Sequence, residues 1–520
     1  MASVIGRQPM ALFRSLVFRT VPQSHSAVAL SHGTFRPTSA RCLSSAKEIP
    51  GPKALPIAGV LFSMLSDKDF DKNNIHVYFK KLFKTYGPIV KLQFPGKPTL
   101  VILNDPEDMK WVHHCTRDSP VRSGFDSLKK ARYLDDYYEK GGITIENGEE
   151  WWRVRKRVQI PIMRFSNIRQ YVADMDGVAF DILDRISKER NEEGELTSDL
   201  KDLMNRLALE SVCLISLNRR LGSLDPNLPH DSEQMKFYRA ALDLLRCIFE
   251  CDENPMWKIY PNKAFKTLRE SLNILTEVCD KTLWEYKEGL KERNERDPDC
   301  SHRMIEQLLL DQELSHKDIV TFMMDLIPGG TETTASASIV LLYLLAKYPE
   351  VQAKAQEEVD HVLGKDRTPI TAKQVNQLSY IRATLKESFR LLPPALGTSR
   401  LLQKDIKVRG YTLHKGWDCL MTSAVSALDE SQFAQPQDFV PDRWLQHRPL
   451  GQIHPYASLP FSHGKRKCIG IRIAEQIMSI FIARVLQRYN LAWRGEDLHR
   501  THIQVFQPVA PFSLSFTDRN

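Results

Sequence analysis

The sequence predicts a mostly helical chain with small β-sheets, an α+β fold, on three observations. Apolar residues recur at helical spacing over long segments between about residues 150 and 390. Runs with strand character are short and lie on either side of that helical body. Repeats and low-complexity stretches are absent, which argues against solenoids and disorder. Length alone, 520 residues, suggests three or four domains, yet no linker divides the chain after its first fifty residues.

Each element has its own signal. Residues 1–45 hold Arg7, Arg14, Arg19, Arg36 and Arg41, many Ser and Ala, and no acid. That is the composition of a mitochondrial transit peptide, with Arg41-Cys42-Leu43-Ser44 as its processing site. Its apolar residues are interrupted by Arg14 and Arg19, so it does not read as a membrane span. The domain then runs over 46–520, opening at the stiff Ile49-Pro50-Gly51-Pro52. Ile89–Phe94 and Leu100–Leu103 read as strands around a Pro95–Pro98 turn. Helices are expected over Met175–Glu189, Thr197–Leu217, Leu268–Glu292, Ser315–Tyr348 and Glu350–Leu363, the last two separated by Pro349. Strand signals return at Ile406–Val408 with Tyr411–Leu413, and near Val505–Phe506 with Ser513–Phe516. An apolar helix, Ile473 to Leu486, comes just after Cys468.

Charge and cysteine content exclude two classes. The formal net charge is +8. Five of the 72 basic residues and none of the 64 acidic ones lie in residues 1–45, which leaves the remainder at a net +3. So balanced a body does not suggest a nucleic-acid partner. The nine cysteines are odd in number and irregularly spaced, so they do not form a disulfide framework.

Cys468 carries the chemistry. It ends Phe461-Ser462-His463-Gly464-Lys465-Arg466-Lys467-Cys468, just ahead of a helix. The positive end of the helix dipole and free backbone N–H groups favour a thiolate there. Gly464 and Gly470 let the backbone pass close to a large flat group, Arg466 supplies a cation and Phe461 an aromatic wall. Together they read as a haem pocket with cysteine as axial ligand. Upstream, Gly329-Gly330-Thr331-Glu332-Thr333-Thr334 lies inside a long helical pattern, and Pro328 is expected to open the ladder at the Met324 carbonyl. An acid and a hydroxyl beside such an opening suit proton delivery. Glu387 and Arg390 share a helical face, and Arg443 sits in Phe439-Val440-Pro441-Asp442-Arg443-Trp444. A buried Glu between two Arg would pin that loop. Trp151 and Arg155 offer donors suited to a haem propionate, but Trp152 and Arg153 leave the register open by one.

These motifs, in this order and spacing, resemble those of the cytochrome P450 family over about residues 50–515. The resemblance implies a single triangular, mostly helical domain around haem b. It makes Cys468 the axial ligand, Glu332 and Thr333 the acid–alcohol pair, and Glu387, Arg390 and Arg443 a structural triad. It makes Trp151, Arg155, Arg400 and Arg466 the propionate partners. Two departures stand out: Ser462 where many members have glycine, and Pro328 where the mitochondrial class often has alanine.

The chain is similar to the mitochondrial, ferredoxin-dependent class in particular, through Pro120-Val121-Arg122, Arg132-Tyr133 and Gly141-Gly142. Arg382 and Lys386 match the basic pair that docks an acidic, adrenodoxin-like [2Fe–2S] ferredoxin, itself reduced by an NADPH-dependent reductase. Lys465 and Lys467 extend that patch. The resemblance further implies a monooxygenase on the matrix side of the inner mitochondrial membrane, held there peripherally. The substrate-facing segments are expected at Val121–Ile145, Leu244–Trp257, Thr321–Glu332, Pro394–Thr398 and Gln507–Pro511. Their apolar character suits a steroid or sterol. The stretch Ile469–Asp497 is similar to arthropod hydroxylases of moulting-hormone synthesis, which raises ecdysteroid biosynthesis. Two alternatives remain open: oxidation of foreign compounds, and a haem-thiolate protein that binds or rearranges without activating dioxygen. Glu332 with Thr333 argues against the last.

Overall fold

In a computed structural model, residues 48–296, 302–503 and 505–519 are described. The expected transit segment, its processing site and Cys300 lie outside them. The chain from Lys47 on forms one compact unit.

The centre of the molecule is the helix His316–Lys347. A reciprocal cap starts it: the Ser315 hydroxyl accepts from the Asp318 N–H at 3.1 Å, and the Asp318 carboxylate from the Ser315 N–H at 2.9 Å. Nearly all its circumference is buried, as its apolar sequence requires. It packs most closely on Leu200–Ser216 and also against Glu233–Glu253, Lys263–Arg296 and Ser379–Leu391. Contrary to the expected interruption, the helix runs unbroken through Pro328, Gly329 and Gly330. Burial on all sides offsets one lost N–H, and hydroxyls occupy neighbouring carbonyls: Thr331 donates to Ile327 and Thr333 to Gly329, at 2.7 and 2.8 Å. Gly330 is required for packing, since a Cβ there would stand 2.9 Å from the Val212 side chain.

Pro349 opens Pro349–Leu363 rather than merely ending its predecessor. The strands expected at Ile89–Leu92 and Leu100–Leu103 pair antiparallel. They belong to a four-stranded sheet completed by Asp418–Met421, parallel to the second strand, and Thr398–Leu401. Neither of these last two was expected as a strand. Ile406–Val408 and Tyr411–Leu413 form the expected hairpin. Val505–Pro508 pairs with Arg500–Ile503, and Leu514–Asp518 with Tyr489–Trp493. The mostly α, small-sheet α+β class is the one observed.

Candidate active site

Cys468 stands at the end of a folded loop. The loop closes on itself: the Cys468 N–H donates to the Phe461 carbonyl at 2.8 Å and the Lys467 N–H to Gly464 at 3.1 Å. Gly464 takes φ +78°, and Ser462 takes φ +62°, a left-handed conformation uncommon for a residue with a Cβ. The helix Ile471–Arg488 starts three residues past the cysteine. Cys468 is exposed, but into a cavity of about 430 Å³ deep in the protein. Burial pushes its thiol up. The backbone N–H groups of Gly470 and Ile471 and the charges of Arg155 and Arg122 oppose that rise.

The central helix lines this cavity with Pro328, Gly329, Gly330, Thr333 and Thr334. Phe461, Trp151, Arg155 and Arg466 also line it. The one-residue ambiguity at Trp151 is resolved by ion pairs. Arg153 turns outward to Glu150 and Asp318, at 2.8 and 2.7 Å, which leaves Trp151 and Arg155 facing inward. Arg400 is buried on a neighbouring strand. Sequence reasoning named Arg122 only as a mark of the class, yet it lines the cavity too. Asn147 was missed: its side chain accepts from Arg466 and from the Arg122 N–H, and donates to the Arg122 carbonyl at 3.1 Å.

The four arginines have no carboxylate within ion-pair distance among the described residues. Arg155 donates to the Lys467 carbonyl at 2.8 Å and Arg400 to its own Ser399 carbonyl at 2.7 Å. Arg466 donates to the Pro120 and Glu146 carbonyls and stacks 4.8 Å over the Trp151 ring. The Nε atoms of Arg155, Arg400 and Arg466 are buried without a partner. Burial chiefly, with repulsion from Arg122, holds Arg155 and Arg400 down to about 10 and Arg466 to about 9. Desolvated Arg122, Arg155 and Arg466 line the cavity that Cys468 enters, with Arg400 buried just outside it, and such a set suits a dianionic group that also takes a sulfur ligand. The propionates and iron of a haem have that chemistry, so these residues could hold one.

Glu332 and Thr333 diverge. Thr333 lines the cavity; Glu332 does not. Glu332 is buried, and burial pushes its carboxyl up, opposed by Lys201 and by hydrogen bonding from Gln507. Its Oε2 has no partner, and Lys201 donates to Gln507 at 3.1 Å.

Glu387, Arg390 and Arg443 do meet. Glu387 accepts from Arg390 at 2.7 and 3.0 Å, from Arg443 at 2.9 Å, and from the Trp444 indole at 2.7 Å. The remaining guanidinium N–H groups reach the carbonyls of Ala427, Ala434, Gln435, Pro436 and Asp438. Arg382 and Lys386, on the same helix as Glu387, are exposed and flank a cleft with Phe389, Phe461, Trp444 and Glu475. Neither has an ion-pair partner among the described residues; Arg382 donates to the Val375 carbonyl at 3.1 Å.

The profile of the cytochrome P450 family matches residues 49–516. Cytochrome P450 302a1, mitochondrial, of Drosophila melanogaster is 33% identical over 459 residues, which are 86% of this chain and 90% of that protein. The probable cytochrome P450 301a1, mitochondrial, of the same fly is 29% identical over 480 residues, 90% and 86% of the two chains. Cytochrome P450 27C1 of Danio rerio is 29% identical over 490 residues, 92% and 88%.

Proposed function

Because the chain belongs to the cytochrome P450 family of haem-thiolate monooxygenases, we propose that it is a mitochondrial steroid or sterol hydroxylase whose haem iron is held by Cys468 and whose electrons come from a [2Fe–2S] ferredoxin. The observation that carries this reading is the cavity itself, lined by one thiol and by three arginines without a carboxylate, Arg122, Arg155 and Arg466, with walls otherwise largely apolar and Arg400 buried just outside it. Haem, when bound, supplies dioxygen activation and insertion of one oxygen atom into a C–H bond.

The protein's own residues do the rest. Gly470 and Ile471 direct N–H groups at the Cys468 sulfur and stabilise its anionic form. Arg122, Arg155, Arg400, Arg466 and Trp151 would hold the propionates of a bound haem. Phe461 packs edge-on to Phe389 at 5.0 Å and stiffens the loop behind the sulfur. Thr333 presents a hydroxyl to the cavity, and Glu332, one residue earlier, holds its proton more firmly than an ordinary carboxylic acid. Lys201 and Gln507 link that acid towards the surface on a different face of the helix from Thr333, which alone of the pair presents a hydroxyl to the cavity. Leu128, Leu244, Ile248, Phe249, Phe322 and Met324 exclude water and orient an apolar substrate.

Mitochondrial placement is supported by the names of the fly relatives and by the Arg-rich, acid-free residues 1–45. Among the described residues no helix is long and apolar enough to cross a membrane. Exposed Ile57, Phe62, Leu65, Ile259 and Tyr260 suit peripheral contact with the inner membrane from the matrix side. The unpaired Arg382 and Lys386 suit an acidic ferredoxin, reduced in turn by an NADPH-dependent reductase.

The test is a titration of the haem-loaded protein with sterols and steroids, moulting-hormone precursors included, followed by turnover with ferredoxin, reductase and NADPH. A spin-state shift of the haem spectrum and a product heavier by one oxygen are expected. Turnover confined to foreign aromatic compounds, with no steroid shifting the spectrum, would overturn the steroid reading.

A further inference from the structure

Among the described residues the cavity wall contains one carboxylate, Asp325, and it is paired. Asp325 lies on the central helix, one turn before Gly329, and meets Arg132 at 2.9 Å. Both side chains are almost wholly buried, at 3% and 1% exposure. Arg132 belongs to the short helix Asp126–Tyr133. The loop Gly141–Thr144 presses onto the pair. Arg132 Nη1 donates to the Gly141 carbonyl at 2.6 Å, and the Thr144 N–H donates to Asp325 at 3.0 Å. A Cβ on Gly142 would lie 2.8 Å from Asp325 and 2.9 Å from Arg132, so glycine at φ +82° is what lets the loop close there. The Tyr138 ring covers the guanidinium at 5.4 Å.

The pair is satisfied on one side only. Arg132 Nε and Nη2 are buried and have no hydrogen-bond partner, although the residue lines the cavity. Buried donors of a charged group are costly to leave unmatched. Because Arg132 lines the cavity yet is only 1% exposed, an acceptor entering the cavity reaches these donors by displacing the atoms that cover them. The charge of Arg132 is already balanced by Asp325. A carboxylate would therefore bring a second, uncompensated negative charge into an apolar space, whereas an uncharged oxygen would not.

We propose that Arg132 donates from Nε and Nη2 to an uncharged hydroxyl or carbonyl oxygen of the substrate, and so fixes which carbon faces the cofactor. The substrate is then a neutral lipid that already carries an oxygen, and a prior oxidation or ketone-forming step must supply it. The proposal rests on the reading of the cavity as a lipophilic substrate pocket and adds the group that anchors the substrate within it.

Dodecylimidazole and its ω-hydroxy and ω-carboxy derivatives test it. All three bind through the haem iron and shift its spectrum whatever the natural substrate is, so failure of the steroid screen and failure of this anchor remain separate results. The wild-type protein should bind the hydroxy derivative about tenfold more tightly than the alkyl parent, with the carboxy derivative weaker than the hydroxy one. In Arg132→Lys, which keeps the charge beside Asp325, the hydroxy advantage should fall within about twofold while alkyl binding is unchanged. Should that variant not retain haem, Arg132→Gln combined with Asp325→Asn removes both charges together and allows the same comparison. Equal binding of the three ligands by the wild type, equal weakening of all three in the variants, or preference for the carboxylate would each overturn the assignment.

Discussion

Two sets of buried arginines stand in this molecule, and they are built on opposite principles. Arg390 and Arg443 share one carboxylate, Glu387, and hand their remaining N–H groups to loop carbonyls. Both also sit over the Phe433 ring. Arg122, Arg155, Arg400 and Arg466 share no carboxylate; they repel one another and leave Nε atoms unmatched. The first set closes a frame. The second is incomplete as protein and becomes consistent only when an anion joins it. A buried cation with a full set of partners is architecture, while one without them points to a ligand.

The contrast breaks most completely at the sulfur. Cys468→Ser should abolish the red-shifted Soret band of the reduced carbon monoxide complex, and a surviving band would remove Cys468 as the ligand. In the frame, Glu387→Gln leaves two buried guanidiniums without their counter-charge. It should cost about 3–5 kcal/mol of stability with or without haem, read as a fall in the urea midpoint. The arginine set should answer with the other sign. Arg400 holds only its own Ser399 carbonyl. Arg400→Met should therefore leave the haem-free protein within about 1 kcal/mol of wild type, because repulsion is relieved as a weak bond is lost. The same variant should release haem to apomyoglobin about tenfold faster, having lost a charged hydrogen bond. If Arg400→Met destabilises the haem-free protein as strongly as Glu387→Gln does, the two sets are not different in kind.

The rule extends to the surface. Arg153 is tied to Glu150 and Asp318, whereas Arg382 and Lys386 form no ion pair among the described residues; the acid in their cleft, Glu475, pairs with Arg472. Lys386→Glu should lower ferredoxin-supported turnover about tenfold, more at low salt, and leave the substrate-induced spectral shift in place. Parallel loss of both would count against a docking surface.

How much of this the sequence discloses depends on how local the information is. The cysteine loop is contiguous, and the central helix carries an unmistakable apolar period, so both are legible. Thr398–Leu401 and Asp418–Met421 are four residues each, and the pairing of Leu100–Leu103 with Asp418–Met421 spans most of the chain. Each of these two runs also mixes polar with apolar residues, unlike the all-apolar Leu100–Leu103, so nothing local marks it as a strand. Trp151 against Trp152 is undecidable locally; the acid that selects the register, Asp318, lies on another helix. Glu332 and Thr333 are adjacent in sequence but about 100° apart around the helix, so one faces Gln507 while the other faces the cavity. Arg132 with Asp325 is the clearest gap: the two are far apart in sequence, and nothing local in either segment points to the other.

The smallest effect concerns the cysteine loop, where a left-handed backbone coincides with an unmatched hydroxyl; in the frame Gln435 is also left-handed, at φ +50°, but its carbonyl is held by Arg443. Ser462 is held at φ +62°, and its hydroxyl is buried without a partner. A left-handed residue with a Cβ costs about 1–2 kcal/mol, and an unmatched buried hydroxyl about 1 kcal/mol or more. Glycine removes both but adds about 0.5–1 kcal/mol of freedom to the unfolded chain. Ser462→Gly should therefore stabilise the protein by about 1 kcal/mol, measured in the haem-free form so that cofactor binding does not enter. Ser462→Ala separates the two causes, since it removes the hydroxyl and keeps the strained backbone. If alanine stabilises as much as glycine, the hydroxyl is the burden and the backbone is relaxed. If glycine destabilises, the loop is held by its serine, and the comparison with the satisfied frame around Glu387 loses its last term.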